Sequence, residues 1–132
     1  MHITLETDYA IRIVSCLAKN KIRMDARSIS EETSVTLRFS LKILSKLVAS
    51  GIIKSFKGTH GGYELAKEPH EITLLDVIET VEGTYYFSRC LADNYECNCS
   101  DEEPCSTRMV FLDITQTVQE KLRNCTFDML IE

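Results

Sequence analysis

The sequence predicts a mainly α-helical protein with one small β-hairpin, arranged as a winged helix-turn-helix module followed by a C-terminal dimerisation helix. Three observations indicate this fold class. A short helix, a tight turn and a longer helix fall within residues 26–50, and two β-type runs flank a glycine-rich turn at residues 58–62. An amphipathic helix then follows a long polar loop. A chain of 132 residues is expected to form one domain, or one small domain with an appendage.

The first helix is predicted over residues 5–19, where apolar residues recur four positions apart from Leu5 to Leu17. Cys16 lies inside this helix and is interpreted as a small buried hydrophobic residue. The second helix is short and is predicted over residues 26–33. Because a Glu follows three positions after a Ser, Ser28 and Glu31 are expected to form its capping box.

The third helix is predicted over residues 36–50 and is expected to stop at Gly51, since glycine readily takes the left-handed conformation that follows a helix. The basic residues Arg38 and Lys42 fall on a different face from the apolar stripe. A short helix, a turn and a longer helix with outward basic residues is the pattern of a helix-turn-helix. The expected stripe comprises Leu37, Leu41, Leu44 and Val48, widened by Ile43 and Leu47.

A β-hairpin is predicted next, from strands at residues 52–57 and 63–66 around the turn GTHGG. A hairpin directly after a helix-turn-helix has the position of a wing. The glycines leave backbone amides free to approach phosphate, and Lys57, Thr59 and His60 can add charge and hydrogen bonds.

The fourth helix is expected to start at Thr73, with Asp76 as the capping-box partner, and to end near Gly83. The fifth is expected to run from near Pro104 to about residue 124. It carries a narrow apolar seam and follows a module that already has its own core, so it is interpreted as a dimerisation helix. The seam residues are Phe111, Ile114, Val118 and Leu122. We therefore divide the chain into a DNA-binding module (1–83), a cysteine-rich loop (84–105) and a dimerisation helix with a closing turn (104–132).

Charge is distributed unevenly along the chain. Residues 1–69 carry 11 basic and 7 acidic side chains, whereas residues 70–132 carry 4 basic and 13 acidic ones. This asymmetry indicates a basic module that faces a polyanion such as DNA and an acidic module with another role. No apolar run reaches the roughly 18 residues of a membrane span, and no secretory signal is visible at the N-terminus, so a cytoplasmic protein is expected.

Four of the six cysteines fall within residues 90–105, in an acidic loop poor in apolar residues. Loops of this length inside a compact domain are usually functional or disordered. In a reducing cytoplasm such a cluster predicts a metal or redox site rather than a disulfide framework. An iron–sulfur cluster, a zinc ion and a thiol–disulfide switch all remain open from the residues alone, although the spacing lacks the paired C-x2-C units of many zinc sites.

Five segments, in register over nearly the whole chain, resemble the Rrf-two family of bacterial winged-helix transcription regulators. Lys57 stands where this family usually has Arg. The segments are TDYAIR (7–12), KGTHGGYELA (57–66), ITLLDVI (72–78), VEG (81–83) and TFDML (126–130).

The resemblance implies an iron–sulfur cluster of the [2Fe-2S] or [4Fe-4S] type, for which the family's three cysteine ligands correspond to Cys90, Cys99 and Cys105. The gap before Cys99 is longer than usual, so Cys97 is a competing ligand. Some members use a histidine three residues after the last cysteine, but Arg108 occupies that position here. Other members, which sense nitric oxide, take an aspartate from the first helix of the partner subunit. Asp8 stands at that position, so the resemblance favours the nitric-oxide-sensing branch.

For DNA, the start of the third helix is expected in the major groove and the wing along a minor groove. The expected DNA contacts are Thr36, Arg38, Phe39, Lys42, Lys46, Lys54, Lys57, Thr59 and His60.

The sequence thus predicts a homodimeric transcription regulator, interpreted as a repressor, whose operator binding responds to nitric oxide, redox state or cluster status. The alternatives are a cluster-free regulator, a thiol-redox sensor and a zinc-stabilised interaction adaptor. No nucleotide-binding loop and no nucleophile–base constellation is present, so an enzyme is not expected.

Overall fold

The computed structural model describes residues 2–98 and 105–131. In these residues the first five α-helices and the two β-strands follow the predicted order, and the segment predicted as a closing turn forms a sixth, short helix. Two single-turn 3₁₀ helices, Pro69–Glu71 and Arg89–Leu91, lie in the connections. The helices are α1 (Leu5–Asn20), α2 (Ala26–Thr33), α3 (Leu37–Ala49), α4 (Leu74–Glu82), α5 (Ser106–Arg123) and α6 (Phe127–Leu130), and the strands are β1 (Ile53–Phe56) and β2 (Gly62–Leu65).

Helix α1 is the centre of the module and contacts α2, α3, α4, β2 and α6. Thr4 caps its N-terminus by accepting a hydrogen bond from the Thr7 amide, 3.2 Å away. Ala10, Ile13 and Leu17 are buried along its inner face. Burial of this apolar face is the main source of stability for such a small module.

Helix α2 has the predicted bounds, but its cap differs from the prediction. The side chain of Asp25, not Ser28, accepts the hydrogen bond from the Ser28 amide, at 2.7 Å. The Ser28–Glu31 capping box is therefore wrong. Ser28 already lies in the first turn of the helix, so its amide has no partner within the helix. The carboxylate of Asp25 accepts the hydrogen bond from this amide.

Helix α3 begins after its cap Thr36 and ends, as predicted, before Gly51, which has a φ of 81°. The predicted apolar stripe is only partly right. Leu37 and Leu41 are 38% and 44% exposed, whereas Ser40 is fully buried. The residues Ile43, Leu44 and Leu47 determine which side of the helix faces the core, and the line from Leu37 to Leu41 falls at the edge of that side.

The hairpin pairs β1 and β2 antiparallel, with Ile53 opposite Leu65 and Phe56 opposite Gly62. On its other side β2 forms an isolated bridge with the α1–α2 connection. Met24 and Tyr63 exchange both backbone hydrogen bonds, at 2.9 and 2.7 Å. Gly62 has a φ of 141°, and a Cβ there would lie 2.6 Å from the Met24 carbonyl oxygen, so only glycine fits this contact.

Helix α4 has the predicted capping box. The Thr73 amide donates to Asp76 Oδ2 (2.9 Å), and the Asp76 amide donates to Thr73 Oγ1 (3.1 Å). Gly83 ends the helix with a φ of 83°. Val77 belongs to the core of the module, and Leu74 and Val81 pack against that core; Leu75 and Ile78 are also buried.

Within the described residues, helix α5 contacts α4 and the 3₁₀ helix Arg89–Leu91 on one side. Thr115 is its single buried residue in the described part of the chain; its hydroxyl accepts a hydrogen bond from the Phe87 amide (2.8 Å). The predicted seam is half-buried, and the ring of Phe111 lies against that of Phe87, with centroids 5.3 Å apart and planes tilted by 52°. Met109 and Val110 are 51% and 57% exposed. The predicted start at Pro104 lies outside the described residues.

The closing segment returns to the module. Helix α6 contacts α1, and the Phe127 side chain is completely buried in the core that α1, α3 and α4 form. The Phe127 amide donates to the Ile72 carbonyl (3.0 Å), and the Leu74 amide donates to the Cys125 carbonyl (2.9 Å). A residue beyond α5 is therefore part of the core of the N-terminal module.

Candidate nucleic-acid interface and cysteine loop

The N-terminal half of α3 presents polar and basic side chains to solvent. Thr36 is exposed and caps the helix by accepting from the Phe39 amide (3.3 Å). Arg38 and Lys42 are exposed, and α3 carries no acidic residue. A helix of this kind, preceded by a short helix and a turn, is the element that enters the major groove in helix-turn-helix proteins.

Phe39 is placed differently from the other residues expected to contact DNA. It is half-buried and meets the ring of Tyr9 on α1 edge to face, with ring centroids 5.3 Å apart. The ammonium group of Lys42 lies 5.6 Å from the Phe39 ring centroid. In this arrangement Phe39 joins α3 to α1 and has the ammonium group of Lys42 over its ring.

Lys42 and Lys46 are both paired with a carboxylate on α1. Glu6 Oε1 lies 2.7 Å from the Lys46 ammonium and 3.7 Å from that of Lys42. The hydrogen bond from Lys46 and the positive charge of the two lysines hold the pKa of Glu6 below its usual range. Sequence reasoning missed Glu6, because it precedes these lysines by 36 and 40 positions and no local pattern joins them.

The wing presents its predicted contact residues to solvent. Lys54 on β1 is exposed, as are Lys57, Thr59 and His60 in the turn. The Gly61 amide donates to the Gly58 carbonyl (3.0 Å) and closes this turn. Sequence reasoning also missed Arg23, whose guanidinium contacts both strands and the turn.

Two of the loop cysteines lie on adjoining elements. Cys90 belongs to the 3₁₀ helix Arg89–Leu91, and Cys105 is the cap residue of α5; both are half-buried. Arg108 on the first turns of α5 donates from Nε to the Cys90 carbonyl (3.4 Å). Cys97 is exposed. Cys99 lies outside the described residues. The structure therefore describes only two of the three predicted cysteine ligands, Cys90 and Cys105.

Within residues 2–98 and 105–131, no three His, Cys, Asp or Glu side chains are grouped closely enough to hold a metal ion. Asp8, the residue expected to serve the partner subunit, pairs with Arg12 one turn later on α1 at 2.8 Å. Both side chains are about half exposed, at 47% each. The Asp8 carboxylate is therefore at the surface of α1.

Cys16 is separate from the loop cysteines. Its side chain is buried, as the sequence predicts. The thiol lies 3.9 Å from the sulfur of Met24. Burial, together with the nearby carboxylate of Glu32, raises the pKa of Cys16 to about 11. A thiol of this kind is inert at neutral pH.

Residues 3–132 match the family model described as "Rrf2: Iron-dependent Transcriptional regulator". The chain belongs to the Rrf2 family of transcriptional regulators. An Rrf2 regulator acts on transcription through a DNA-binding helix-turn-helix, which agrees with the prediction that the protein is not an enzyme. In the described part of the chain, no helix combines the length and the apolar character needed to cross a bilayer.

Similarity to individual relatives and solved structures supports the assignment to the Rrf2 family. The structure of CymR, the global cysteine regulator of B. subtilis, has a TM-score of 0.80 and 29% identity, over 98% of this chain and 95% of that one. The oxidised form of Staphylococcus aureus CymR has a TM-score of 0.75 and 25% identity, over 100% and 97%. The HTH-type transcriptional regulator IscR of Pectobacterium atrosepticum is 26% identical, over 99% of this chain and 79% of its own length. The predicted winged helix-turn-helix fold is thus confirmed.

Proposed function

We propose that this Rrf2 regulator is a cytoplasmic homodimer that represses transcription at a two-fold symmetric operator and that an iron–sulfur cluster controls its affinity for DNA. The observation that carries the DNA-binding part is the exposure of basic side chains on α3 and on the neighbouring hairpin. Such side chains supply the phosphate contacts that dominate affinity, while base contacts from α3 supply sequence choice.

In this proposal the start of α3 reads base edges in the major groove through Thr36 and Arg38. Lys42 and Lys54 contact phosphates, and the wing turn follows the adjacent minor groove. Phe39 and Lys46 remain in the proposed interface, although both also contact α1. Lys57, Thr59 and His60 are the proposed contacts of the wing.

The dimer is proposed from α5. Among residues 2–98 and 105–131 this helix packs against its neighbours on one side, and Met109 and Val110 leave apolar surface exposed at its N-terminal end. A second copy would cover this surface and set the spacing of the two recognition helices. In this proposal residues 1–83 bind DNA, residues 84–105 bind the cluster and residues 104–132 form the dimer.

The cluster is proposed to bind Cys90, Cys105 and either Cys99 or Cys97, with Asp8 of the partner subunit as a fourth ligand. The described donors suit such a group: Cys90 and Cys105 are free thiols on elements that the Arg108–Cys90 hydrogen bond joins. Thiolates are the usual ligands of iron–sulfur clusters of either the [2Fe-2S] or the [4Fe-4S] type. When bound, the group supplies iron that reacts with nitric oxide or oxidants. The family description, an iron-dependent regulator, supports this proposal.

The test begins with protein purified without oxygen. Visible absorption with matched iron and sulfide is expected, as is a loss of DNA affinity on addition of nitric oxide. Cys105→Ser should abolish the absorption. The matched control is Cys125→Ser, which changes a half-buried cysteine outside the loop and should preserve it. Colourless protein that cannot be reconstituted would remove the cluster from the proposal.

Asp8 is tested separately. Asp8→Ala removes the proposed ligand and should make the cluster more labile or weaken binding to DNA. This change also breaks the Asp8–Arg12 ion pair, so Arg12→Ala is the control: it breaks the same pair and keeps the carboxylate. If the two variants behave alike, Asp8 is not a ligand.

A second candidate function is a cluster-free or thiol-sensing regulator, which the likeness to CymR favours. In that case metal-free protein retains its full affinity for DNA. An affinity that changes when Cys90, Cys97 or Cys105 is oxidised would indicate the thiol sensor, and an unchanged affinity would indicate the cluster-free regulator. Stoichiometric zinc without DNA binding would instead indicate the interaction adaptor.

A further inference from the structure

Arg23 contacts every part of the wing from outside it. The residue lies in the short connection between α1 and α2. Its guanidinium carbon is 3.3 Å from the centroid of the Phe56 ring on β1. Its Nε donates to Glu64 Oε2 on β2 (3.4 Å), and its Nη1 donates to the His60 carbonyl in the turn (3.2 Å). One side chain therefore connects both strands and the turn to the helix-turn-helix.

The backbone next to Arg23 is itself attached to the hairpin. Met24 exchanges two hydrogen bonds with Tyr63, and Gly62 lies against the Met24 carbonyl at a distance that admits no side chain. The base of Arg23 is thus fixed relative to β2. A planar guanidinium on a fixed base can hold its stacking and hydrogen-bonding partners in one orientation.

These contacts stabilise the fold only slightly. The Arg23 and Glu64 side chains are 35% and 36% exposed, and ion pairs at such sites contribute little to stability because water and salt screen them. An exposed cation–π contact is likewise weak. The module has its own buried core, so its folding does not depend on Arg23. The main effect of the contacts is on the position of the wing turn.

We propose that Arg23 is a positioning residue for the wing, which holds the turn that carries Thr59 and His60 in its DNA-binding orientation. This proposal rests on the DNA-binding function proposed above. Arg23 acts through two partners. It fixes the His60 carbonyl, and it neutralises the Glu64 carboxylate, which would otherwise repel phosphate near the wing.

The experiment compares Arg23→Ala, Arg23→Lys and Arg27→Ala. The last is the matched control, since Arg27 is an exposed arginine of α2 and its loss removes the same charge. The DNA duplex is first selected by the wild-type protein from a random-sequence library. The affinity of each protein for this duplex is then measured at several salt concentrations. Amide hydrogen exchange at residues 58–61 is measured in the free proteins.

Arg23→Ala is expected to bind roughly five- to tenfold more weakly. The slope of log affinity against log salt concentration should be shallower by about one, because Lys57 beside the turn loses its phosphate contact. Exchange in the turn should become faster while the melting temperature changes little. Arg23→Lys should remain defective, since an ammonium group has no planar face that can stack on Phe56 while its edge donates to Glu64 and the His60 carbonyl.

Full rescue by Arg23→Lys would overturn the proposal and show that only the charge matters. An Arg23→Ala protein that matches Arg27→Ala in affinity and slope would also overturn it. If the wild-type protein selects no duplex, the proposed DNA-binding function fails. The hydrogen-exchange measurement then tests the positioning role by itself, and unchanged exchange at residues 58–61 in Arg23→Ala would overturn that role.

Discussion

The carboxylate of Glu6 pairs with two lysines of the proposed recognition helix α3, and in the proposed interface it would compete with DNA phosphates for their charge. Its carboxylate is 2.7 Å from Lys46 and 3.7 Å from Lys42. A phosphate that binds either lysine must compete with Glu6. We infer that Glu6 lowers sequence-independent affinity, which depends on counterion release from phosphates.

Glu6→Gln should therefore bind an unrelated duplex several-fold more tightly, with a salt slope steeper by up to about two, because two lysines become available. Titration by fluorescence anisotropy at several salt concentrations would measure both values. Glu31→Gln, which changes an exposed acid on α2, is the control. An unchanged slope would show that these lysines do not face phosphate.

The same ion pairs depend on pH. Because the lysines lower the pKa of Glu6 from its usual 4.5, their contribution to stability is complete above that value. It is lost as the pH falls through the lowered pKa of the folded protein. The difference in urea midpoint between wild type and Glu6→Gln should thus stay constant at neutral pH and disappear in acid. A difference that persists in acid would contradict this assignment.

Cys16 should resist alkylation. Burial first, and then the Glu32 carboxylate, raises the pKa of its thiol from 9.0 to about 11, so the reactive thiolate is scarce at neutral pH. Iodoacetamide followed by mass spectrometry should label exposed Cys97 much faster than Cys16 in metal-free protein. Equal labelling in denaturant is the control. Rapid labelling of Cys16 in the native state would mean that α1 opens locally.

The same shift affects stability at high pH. A thiol whose pKa is raised on folding contributes stability that is complete below its unfolded value of 9.0. That contribution falls as the pH rises through about 11.

At the scale of elements, the sequence correctly predicted helix ends that depend on interactions between residues close together in the chain. The capping box at Thr73 and Asp76 and the glycine end of α3 were correct, because each depends on residues a few positions apart. The cap of α2 was wrong: the prediction chose Ser28 from its spacing to Glu31, whereas Asp25, three positions earlier, caps the helix. The apolar face of α3 was misplaced at Leu37 and Leu41, since the position of the core decides which face is buried.

The candidate interface was predicted less completely, for a related reason. The residues expected to contact DNA were chosen from the motifs of the helix-turn-helix and wing, and that choice stays a prediction. The side chains that contact these elements from outside could not be found in this way: Arg23 lies 41 positions before Glu64, and Glu6 lies 40 before Lys46. Only the packing of α1 beside α3, and of the α1–α2 connection beside β2, brings these partners together.

The capping box of α4 gives a direct prediction. Thr73→Ala should lower the free energy of unfolding by about 1 kcal/mol, because the Asp76 amide loses its partner. Urea denaturation followed by circular dichroism would measure this loss. Glu31→Ala, which removes one half of the rejected box on α2, should change stability by less than about 0.5 kcal/mol. A larger loss for Glu31→Ala would restore that box.

At the scale of the whole molecule, α5 determines the proposed assembly. Val110→Asp places a charge on exposed apolar surface and should convert the dimer to monomers without unfolding the module, since Val110 is 57% exposed. Analytical ultracentrifugation would measure the mass. Gln116→Asp, at an exposed polar position of the same helix, should remain dimeric. A dimeric Val110→Asp protein would place the interface elsewhere.

The core of the module extends to the closing segment. Phe127→Ala should lower the free energy of unfolding by about 3–5 kcal/mol, because the side chain is fully buried and its removal leaves a cavity. Met129→Ala, two positions further, is the control: its side chain is 61% exposed and should matter little. Equal effects in thermal denaturation would contradict the observed position of Phe127.

The position of Phe127 also affects the order of events during synthesis. A ribosome releases the helix-turn-helix and wing first, and at ~5–20 residues per second these segments wait a few seconds for Phe127. Until then the nascent module lacks one of its largest core side chains. By the time the core is complete, α5 has also emerged. A nascent chain therefore cannot present a fully packed helix-turn-helix before it carries the helix through which we propose that two copies associate.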